Sequence, residues 1–261
     1  MNASRPMALV TGASSGIGRE IAGALAAQGH DLIIAARSTD ALEALAAELR
    51  TRHGAAVSVA AVDLGEPDGA QQLWSQVQRE GRRIEVLVNN AGVGLAGDFA
   101  QADPAATAAM LQLNVASLTL LTRLALPDML ACGRGRILHV ASIAGLQPGG
   151  PGMAVYYATK NYVVSFTRAL ARELRGSGVT VTALCPGPTR TGFESRAGER
   201  AHGLFSRLPV MDAASVAAYG LRALRAGQTL AVPGIVNKLL ALAGELPPRS
   251  IALGANARLL R

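Results

Sequence analysis

The sequence predicts an α/β fold: a doubly wound parallel sheet of about seven strands with helices on both faces. Three observations predict it. Short apolar runs alternate with amphipathic helical segments along the chain. The first apolar run ends in the glycine-rich stretch Gly12–Ala13–Ser14–Ser15–Gly16–Ile17–Gly18, and an Ala/Leu-rich helical pattern follows at once. The other stretches that carry chemistry fall just after a predicted strand or on the helix behind one, which is where ligands sit in such sheets.

The predicted strands are Met7–Val10, Asp31–Ala36, Val57–Ala61, Val86–Asn89, Arg136–Ala141, Val179–Leu184 and Thr229–Val232. Between them the apolar spacing predicts helices over Gly18–Gln28, Asp40–His53, Pro67–Gly81, Pro104–Ala131, Tyr156–Gly176 and Asp212–Ala226. At 261 residues the chain has room for one large domain with a sizeable core. Half its residues are hydrophobic and only 3% aromatic, so that core must be aliphatic, with Ala and Gly at its closest contacts. The expected organisation is a single catalytic domain over 1–261, with 192–211 as a substrate lid and 233–261 as a C-terminal helical extension.

Charge and composition exclude several classes. The net charge is +7, yet the basic residues are scattered single arginines without interleaved aromatics, so no nucleic-acid groove is read. No apolar run approaches the roughly 20 residues of a membrane span, and only Met1–Pro6 precede the first strand, which leaves no room for a signal peptide. Cys132 and Cys185 read as buried free thiols of a reducing, cytoplasmic compartment. No metal is called for.

The glycine stretch has the chemistry of a phosphate site. Glycines at 12, 16 and 18 allow a sharp turn and close approach of a ligand to the backbone. The following helix N-terminus offers free N–H groups and a positive dipole end to a diphosphate, with Ser14, Ser15 and Ile17 in the same turn. After the second strand, Ala36–Arg37–Ser38 contains no carboxylate to bind a ribose 2′-hydroxyl. Arg37 instead presents a fork of donors suited to a 2′-phosphate, with Ser14 and Ser38 beside it, so NADP(H) is expected over NAD(H). After the fourth strand, Asn89–Asn90–Ala91–Gly92 is small enough for a ribose to approach.

Tyr156 and Lys160 stand four residues apart and share one helix face. An ammonium beside a phenol favours the phenolate and lowers its pKa, which lets the tyrosine trade a proton with an alcohol or carbonyl oxygen. Lysine suits this as a compact point charge, and only Lys160 and Lys238 are lysines in this Arg-rich chain. Tyr157 has Asn161 four residues on and lacks that cation.

The Gly-x-x-x-Gly-x-Gly turn, Asn-Asn-Ala-Gly and Tyr-x-x-x-Lys, in this order, resemble the classical short-chain dehydrogenases/reductases. The resemblance covers Met7 to Thr191. It implies a Rossmann-type fold and hydride transfer between nicotinamide and an alcohol/carbonyl pair such as a ketone, aldehyde or 3-oxoacyl group. It implies that Asp63, with Leu64, meets the adenine and that Ser142 holds the substrate oxygen against Tyr156. It also implies that Asn114 completes a water relay to Lys160, and that Pro186, Gly187, Thr189 and Thr191 line the nicotinamide. A homodimer or homotetramer is the expected assembly.

The chain departs from the family in two places. The loop Gln147–Gly152 between Ser142 and Tyr156 is slightly long. The tail lacks the Asp-Gly-Gly ending common in bacterial ketoacyl reductases and instead carries Leu239, Leu240, Leu242, Leu246 and Pro247–Pro248. Helices that close the pocket or pack a subunit interface are expected there, with a membrane-surface helix as the second reading. Phe193, Arg196, Arg200, His202, Phe205 and Arg207 give the predicted lid a mixed apolar and cationic character. The competing function is a non-catalytic NADP-binding regulator or redox sensor, which has no need for Ser142, Tyr156 and Lys160 in register.

Overall fold

The structure is a computed structural model, and it describes residues 5–193 and 209–246 together with positions 250, 251, 253, 254 and 256. Seven parallel strands form one sheet in the order β3–β2–β1–β4–β5–β6–β9. They are β1 Met7–Thr11, β2 Asp31–Ala36, β3 Val57–Ala61, β4 Ile84–Asn89, β5 Gly135–Val140, β6 Val179–Leu184 and β9 Leu230–Ala231. All seven expected strands are present, each within a few residues of its predicted ends. A separate parallel pair, β7 Thr189–Arg190 with β8 Met211–Asp212, was not expected from sequence. It anchors both ends of the expected lid; Arg196, Arg200, His202, Phe205 and Arg207 lie outside the described residues.

The helices are α1 Gly16–Ala27, α2 Thr39–His53, α3 Gly69–Arg79, α4 Pro104–Leu111, α5 Leu118–Ala131, α6 Ala154–Glu173, α7 Ala213–Arg225 and α8 Ile235–Glu245. One face of the sheet packs α1, α2 and α7 through Ile21, Leu25, Leu42, Leu45, Val216 and Leu221. The other packs α3, α5 and α6 through Leu73, Trp74, Leu121, Met129 and Leu170. Both faces of the central strands are covered, so β1 is buried at every position and reads as an unbroken apolar run rather than an alternating one. Each fully buried Leu or Ile there contributes about 1.5–3 kcal/mol.

Local chemistry sets the helix ends. Ser38 caps α2 by accepting from the Ala41 amide, and Gly54 closes it at φ +58°, the left-handed conformation that favours glycine. The predicted helix Pro104–Ala131 is continuous in space but interrupted by a π-turn over Gln112–Ser117. By length and composition this stretch is apolar enough to cross a membrane, which corrects the expectation that no such run exists. Here it is a core layer: Met110, Leu118, Leu121 and Met129 are buried in the fold. Of the two free cysteines, Cys185 is buried and Cys132 only half-buried, because Cys132 ends α5 at the surface.

His139 on β5 is fully enclosed. Its ring stacks on Phe166, and its two nitrogens meet the hydroxyls of Thr122 at 3.0 Å and Thr167 at 2.9 Å. Burial lowers its pKa from 6.5 to about 3. The unfolded chain therefore takes up this proton near pH 6.5 and the folded chain only near 3. Stability from this group is complete above pH 6.5 and falls as pH drops through that window, by up to about 1.4 kcal/mol per unit. Urea denaturation at pH 7 and pH 4.5 should show this loss, and a His139→Gln variant should show a shallower pH slope.

Candidate active site

The order of strands reverses beside β1, where the chain runs to β2 on one side and β4 on the other. Such switch points open a crevice at the carboxyl ends of the strands. A cleft of about 540 Å³ lies there.

Its first wall is the glycine turn. Gly12 at φ +66° and Gly16 at φ +56° make the reversal into α1. Ser15 stands at the helix N-cap but makes no side-chain cap bond, and no acidic residue occupies the first turn. The free amides of that turn suit an anion. Gly12, Ser14, Ser15, Gly16 and Ile17 all line the cleft. Gly18 does not: a Cβ there would lie 2.4 Å from the Gly12 carbonyl oxygen and 2.3 Å from Asn90 Nδ2. Its function in the fold is to let α1 close against the turn rather than to face a ligand.

Two polar residues brace this turn, Thr11 at the end of β1 and Asn90 just after β4. Thr11 Oγ1 donates to the Val88 carbonyl and accepts from the Asn90 and Ala91 amides at 3.0 and 3.1 Å. Asn90 Nδ2 donates to the carbonyls of Thr11 and Gly12 at 2.9 and 3.1 Å. Asn90, Ala91 and Gly92 line the cleft, but the Asn90 amide is occupied in holding the turn. The bracing hydroxyl of Thr11 was not foreseen as a site element; a threonine directly before the first glycine was its only sequence signal.

At the far end Arg37, Ser38, Asp63 and Leu64 form the wall beyond β2 and β3. Arg37 is well exposed, and its guanidinium lies 3.7 Å from the Asp63 carboxylate. Asp63 also accepts from the Gly65 amide at 2.8 Å, which fixes its rotamer.

The middle of the cleft holds Ser142, Tyr156 and Lys160. All three lie where β5 and α6 meet. Ser142 caps a short 3₁₀ turn, Ile143–Leu146, and accepts from the Ala144 amide at 3.1 Å. Its hydroxyl faces the Tyr156 phenol, where it works to lower that phenol's pKa. Lys160 is buried and donates to the Val140 carbonyl at 3.0 Å, with its Nζ 5.8 Å from the centre of the Tyr156 ring.

The phenol departs from the expectation of a lowered pKa. Burial raises it to about 12, and only the Ser142 hydrogen bond works the other way. The same burial lowers Lys160 to about 8. The reason is geometric: the ammonium is turned to a backbone carbonyl rather than to the phenol oxygen, so desolvation outweighs the charge. Tyr156 is thus protonated in this arrangement.

Asn114 does not line the cleft. It sits in the π-turn, accepts from the Val93 amide at 3.0 Å, and donates to the Val93 carbonyl and to Thr159 Oγ1. Gly92 separates it from Lys160: a Cβ on Gly92 would lie 3.2 Å from Asn114 Oδ1 and 3.3 Å from Lys160 Nζ.

Pro186, Gly187, Thr189 and Thr191 complete the wall after β6. Thr191 packs against the glycine turn, since a Cβ on Gly16 would fall 2.7 Å from Thr191 Cβ. Gly187 packs equally tightly on the buried side chain of Asn237 from α8. Gln147, in the loop read as lining a pocket, and Leu240, in the tail expected to close it, both line the cleft. Met153 and Asn256, to which the sequence pattern did not point, line it too, and the tail supplies two of these four, Leu240 and Asn256. Pro247–Pro248 of the tail lie outside the described residues.

Fold and site together define a dinucleotide-dependent oxidoreductase. The chain belongs to the short-chain dehydrogenases, whose family model matches residues 6–201. It is 39% identical over 182 residues to a 3-oxoacyl-(acyl-carrier-protein) reductase of Synechocystis sp., a match covering 69% of this chain and 73% of that protein. A short-chain dehydrogenase of Sphingobium yanoikuyae, solved with NADPH, superposes with a TM-score of 0.82 at 34% identity, covering 92% of each chain. A member from Burkholderia phymatum, solved with NAD, gives 0.83 at 27% identity, again over 92% of each chain. The protein is thus an enzyme of this family, an oxidoreductase acting on a small molecule with a nicotinamide cofactor.

Proposed function

We propose that the enzyme is an NADP(H)-dependent carbonyl reductase, reversible as an alcohol dehydrogenase. The observation that carries this is the Ser142–Tyr156–Lys160 cluster, buried midway between an anion-receiving glycine turn and the tail. A non-catalytic cofactor sensor has no use for a phenol hydrogen-bonded by a serine and held protonated.

A bound nicotinamide supplies the hydride in reduction and accepts it in oxidation. The cleft suits such a cofactor: the α1 amides receive its diphosphate, and Gly12, Gly16 and Gly92 leave room for backbone approach. Tyr156 gives its proton to the carbonyl oxygen of the substrate, and Ser142 holds that oxygen in place. Lys160, which donates to the Val140 carbonyl, would hold the cofactor ribose, and its charge would favour the phenolate left behind. Asn114, through the Val93 backbone and Thr159, shapes the route by which the proton is restored. Pro186, Gly187, Thr189 and Thr191 hold the ring of the cofactor. We read 1–261 as one catalytic domain, with 192–211 as the lid and 233–261 as the extension that ends the cleft. Exposed Ile235, Leu239 and Leu242 on α8 support a homo-oligomer.

The NADP(H) preference rests on Arg37, which is well exposed though 3.7 Å from Asp63, and on the absence of a carboxylate from Ala36–Arg37–Ser38 at the end of β2. Fluorescence titration with NADPH and NADH tests it. Tight NADPH and weak NADH binding are expected, and Arg37→Asp should cut the NADPH preference by about tenfold or more, the loss of one charged phosphate contact. A variant that keeps the preference would remove Arg37 from the 2′-phosphate site.

A further inference from the structure

The end of the cleft farthest from Arg37 is built from two chain segments that the family pattern does not specify. One is the loop after Ser142, and the other is the tail. They are joined by amide side chains. Gln147 Nε2 donates to the Leu240 carbonyl at 2.7 Å. Asn256 Nδ2 donates to the Gly149 carbonyl at 2.7 Å and to Gln147 Oε1 at 3.4 Å. Asn161 Nδ2 holds the same loop from beneath through the Ala144 and Gln147 carbonyls at 3.1 and 3.0 Å. Asn256 is only 8% exposed, yet both it and Gln147 reach the cleft.

The rest of this end is apolar apart from one phenol hydroxyl: Met153, Phe193 and Leu240, with Tyr157. Among the described residues of the cleft wall the charged side chains are Arg37, Asp63 and Lys160. The first two stand beyond β2 and β3, at the opposite edge of the sheet, and Lys160 lies beneath Tyr156.

An amide carries two N–H donors and an oxygen with two acceptor positions. Among the hydrogen bonds of the described residues, those of Asn256 use both its N–H groups, and Gln147 uses one. Both side chains line the cleft, so an amide donor and an amide acceptor stand side by side there. A hydroxyl or a neutral amide satisfies both at once. A carboxylate or sulfonate would lose its hydration here with no cation among the described residues of this end to replace it, a costly exchange.

On the reading of this protein as a carbonyl reductase, we infer that Gln147 and Asn256 are specificity-determining residues that select a neutral, mainly apolar carbonyl substrate bearing a hydroxyl or amide at its far end. The tail enters the chemistry by this route: it supplies half of the recognition pair and, through Leu240, the surface against which the apolar body lies.

The test is a matched set of methyl ketones, on an aryl and on a linear spacer, that differ only in the far group: methyl, hydroxymethyl or carboxylate. Initial rates are measured with NADPH for the wild type, Asn256→Leu, Asn256→Ala and Gln147→Met, with melting temperature and NADPH titration as folding controls. The wild type should favour hydroxymethyl over carboxylate by about tenfold or more in kcat/KM on at least one spacer, the worth of one buried hydrogen bond. In the variants the advantage of hydroxymethyl over methyl should disappear, and it should do so through KM rather than kcat. A carboxylate preference in the wild type overturns the inference. So does a variant that shifts KM equally for methyl and hydroxymethyl ketones, since that is the behaviour of a purely structural pair. If the NADPH-binding wild type reduces no member of the set, the reductase reading fails along with it.

Discussion

Tyr156→Phe is expected to lower kcat about a thousandfold while NADPH binding is retained. The substitution removes one oxygen. That oxygen is the proton donor we propose for the cluster, beside Ser142 and with its pKa raised by burial to about 12. General acid catalysis by a positioned side chain contributes about 10²–10⁴-fold, so its loss should fall in that range. The ring remains packed against Phe193, 5.6 Å between centres, so the wall of the cleft is not dismantled. Steady-state kinetics on a reduced ketone, paired with NADPH titration of the same variant, separates the two readings of the protein. A reductase loses turnover and keeps its cofactor. A cofactor-binding regulator is indifferent to the change, and unaltered residual activity would place the proton donor elsewhere.

The second large effect is expected at Gly18, and it acts through packing rather than chemistry. A Cβ at this position would meet Asn90 Nδ2 at 2.3 Å and the Gly12 carbonyl oxygen at 2.4 Å. Neither can yield: the oxygen is backbone, and the amide is held by two carbonyls. Gly18→Ala must push α1 away from the turn, so we expect a stability loss of about 1–3 kcal/mol, typical of overpacking. For a chain of this size each kcal/mol corresponds to a fall of about 2–4 °C in Tm. NADPH affinity should fall with it, because the helix amides move from the cleft. Gly23 on the same helix is the control. A Cβ there meets nothing closer than Leu49 at 4.0 Å, so Gly23→Ala should raise stability by about 0.5–1 kcal/mol through helix propensity alone. Equal effects at the two positions, read by thermal melts and titration, would refute the packing argument.

These two predictions differ in what was needed to make them. Tyr156 is legible in the linear chain because Tyr and Lys four residues apart on a helix share a face whatever the fold around them. The effect at Gly18 is not legible there. In the sequence it is the third glycine of a phosphate turn, and only the approach of β4 shows that its neighbour is Asn90 rather than a ligand.

Local periodicity and short spacing in the chain carry the seven strands, the helices between them and the positions of Arg37, Tyr156 and Lys160, because alternating elements with short turns admit few topologies. Ser142 is legible only through the family resemblance, since a lone serine after a strand is most often a turn former. Tertiary structure decided everything that depends on environment or on distant segments meeting. Tyr156 rises rather than falls in pKa because desolvation follows from what surrounds a group. Asn114 turns to Val93 and Thr159 because a π-turn, invisible in the apolar spacing, redirects it. Gln147 and Asn256 come together across more than a hundred residues of chain. No periodicity encodes such a meeting, since it arises only once the sheet has brought the tail back over the loop after β5.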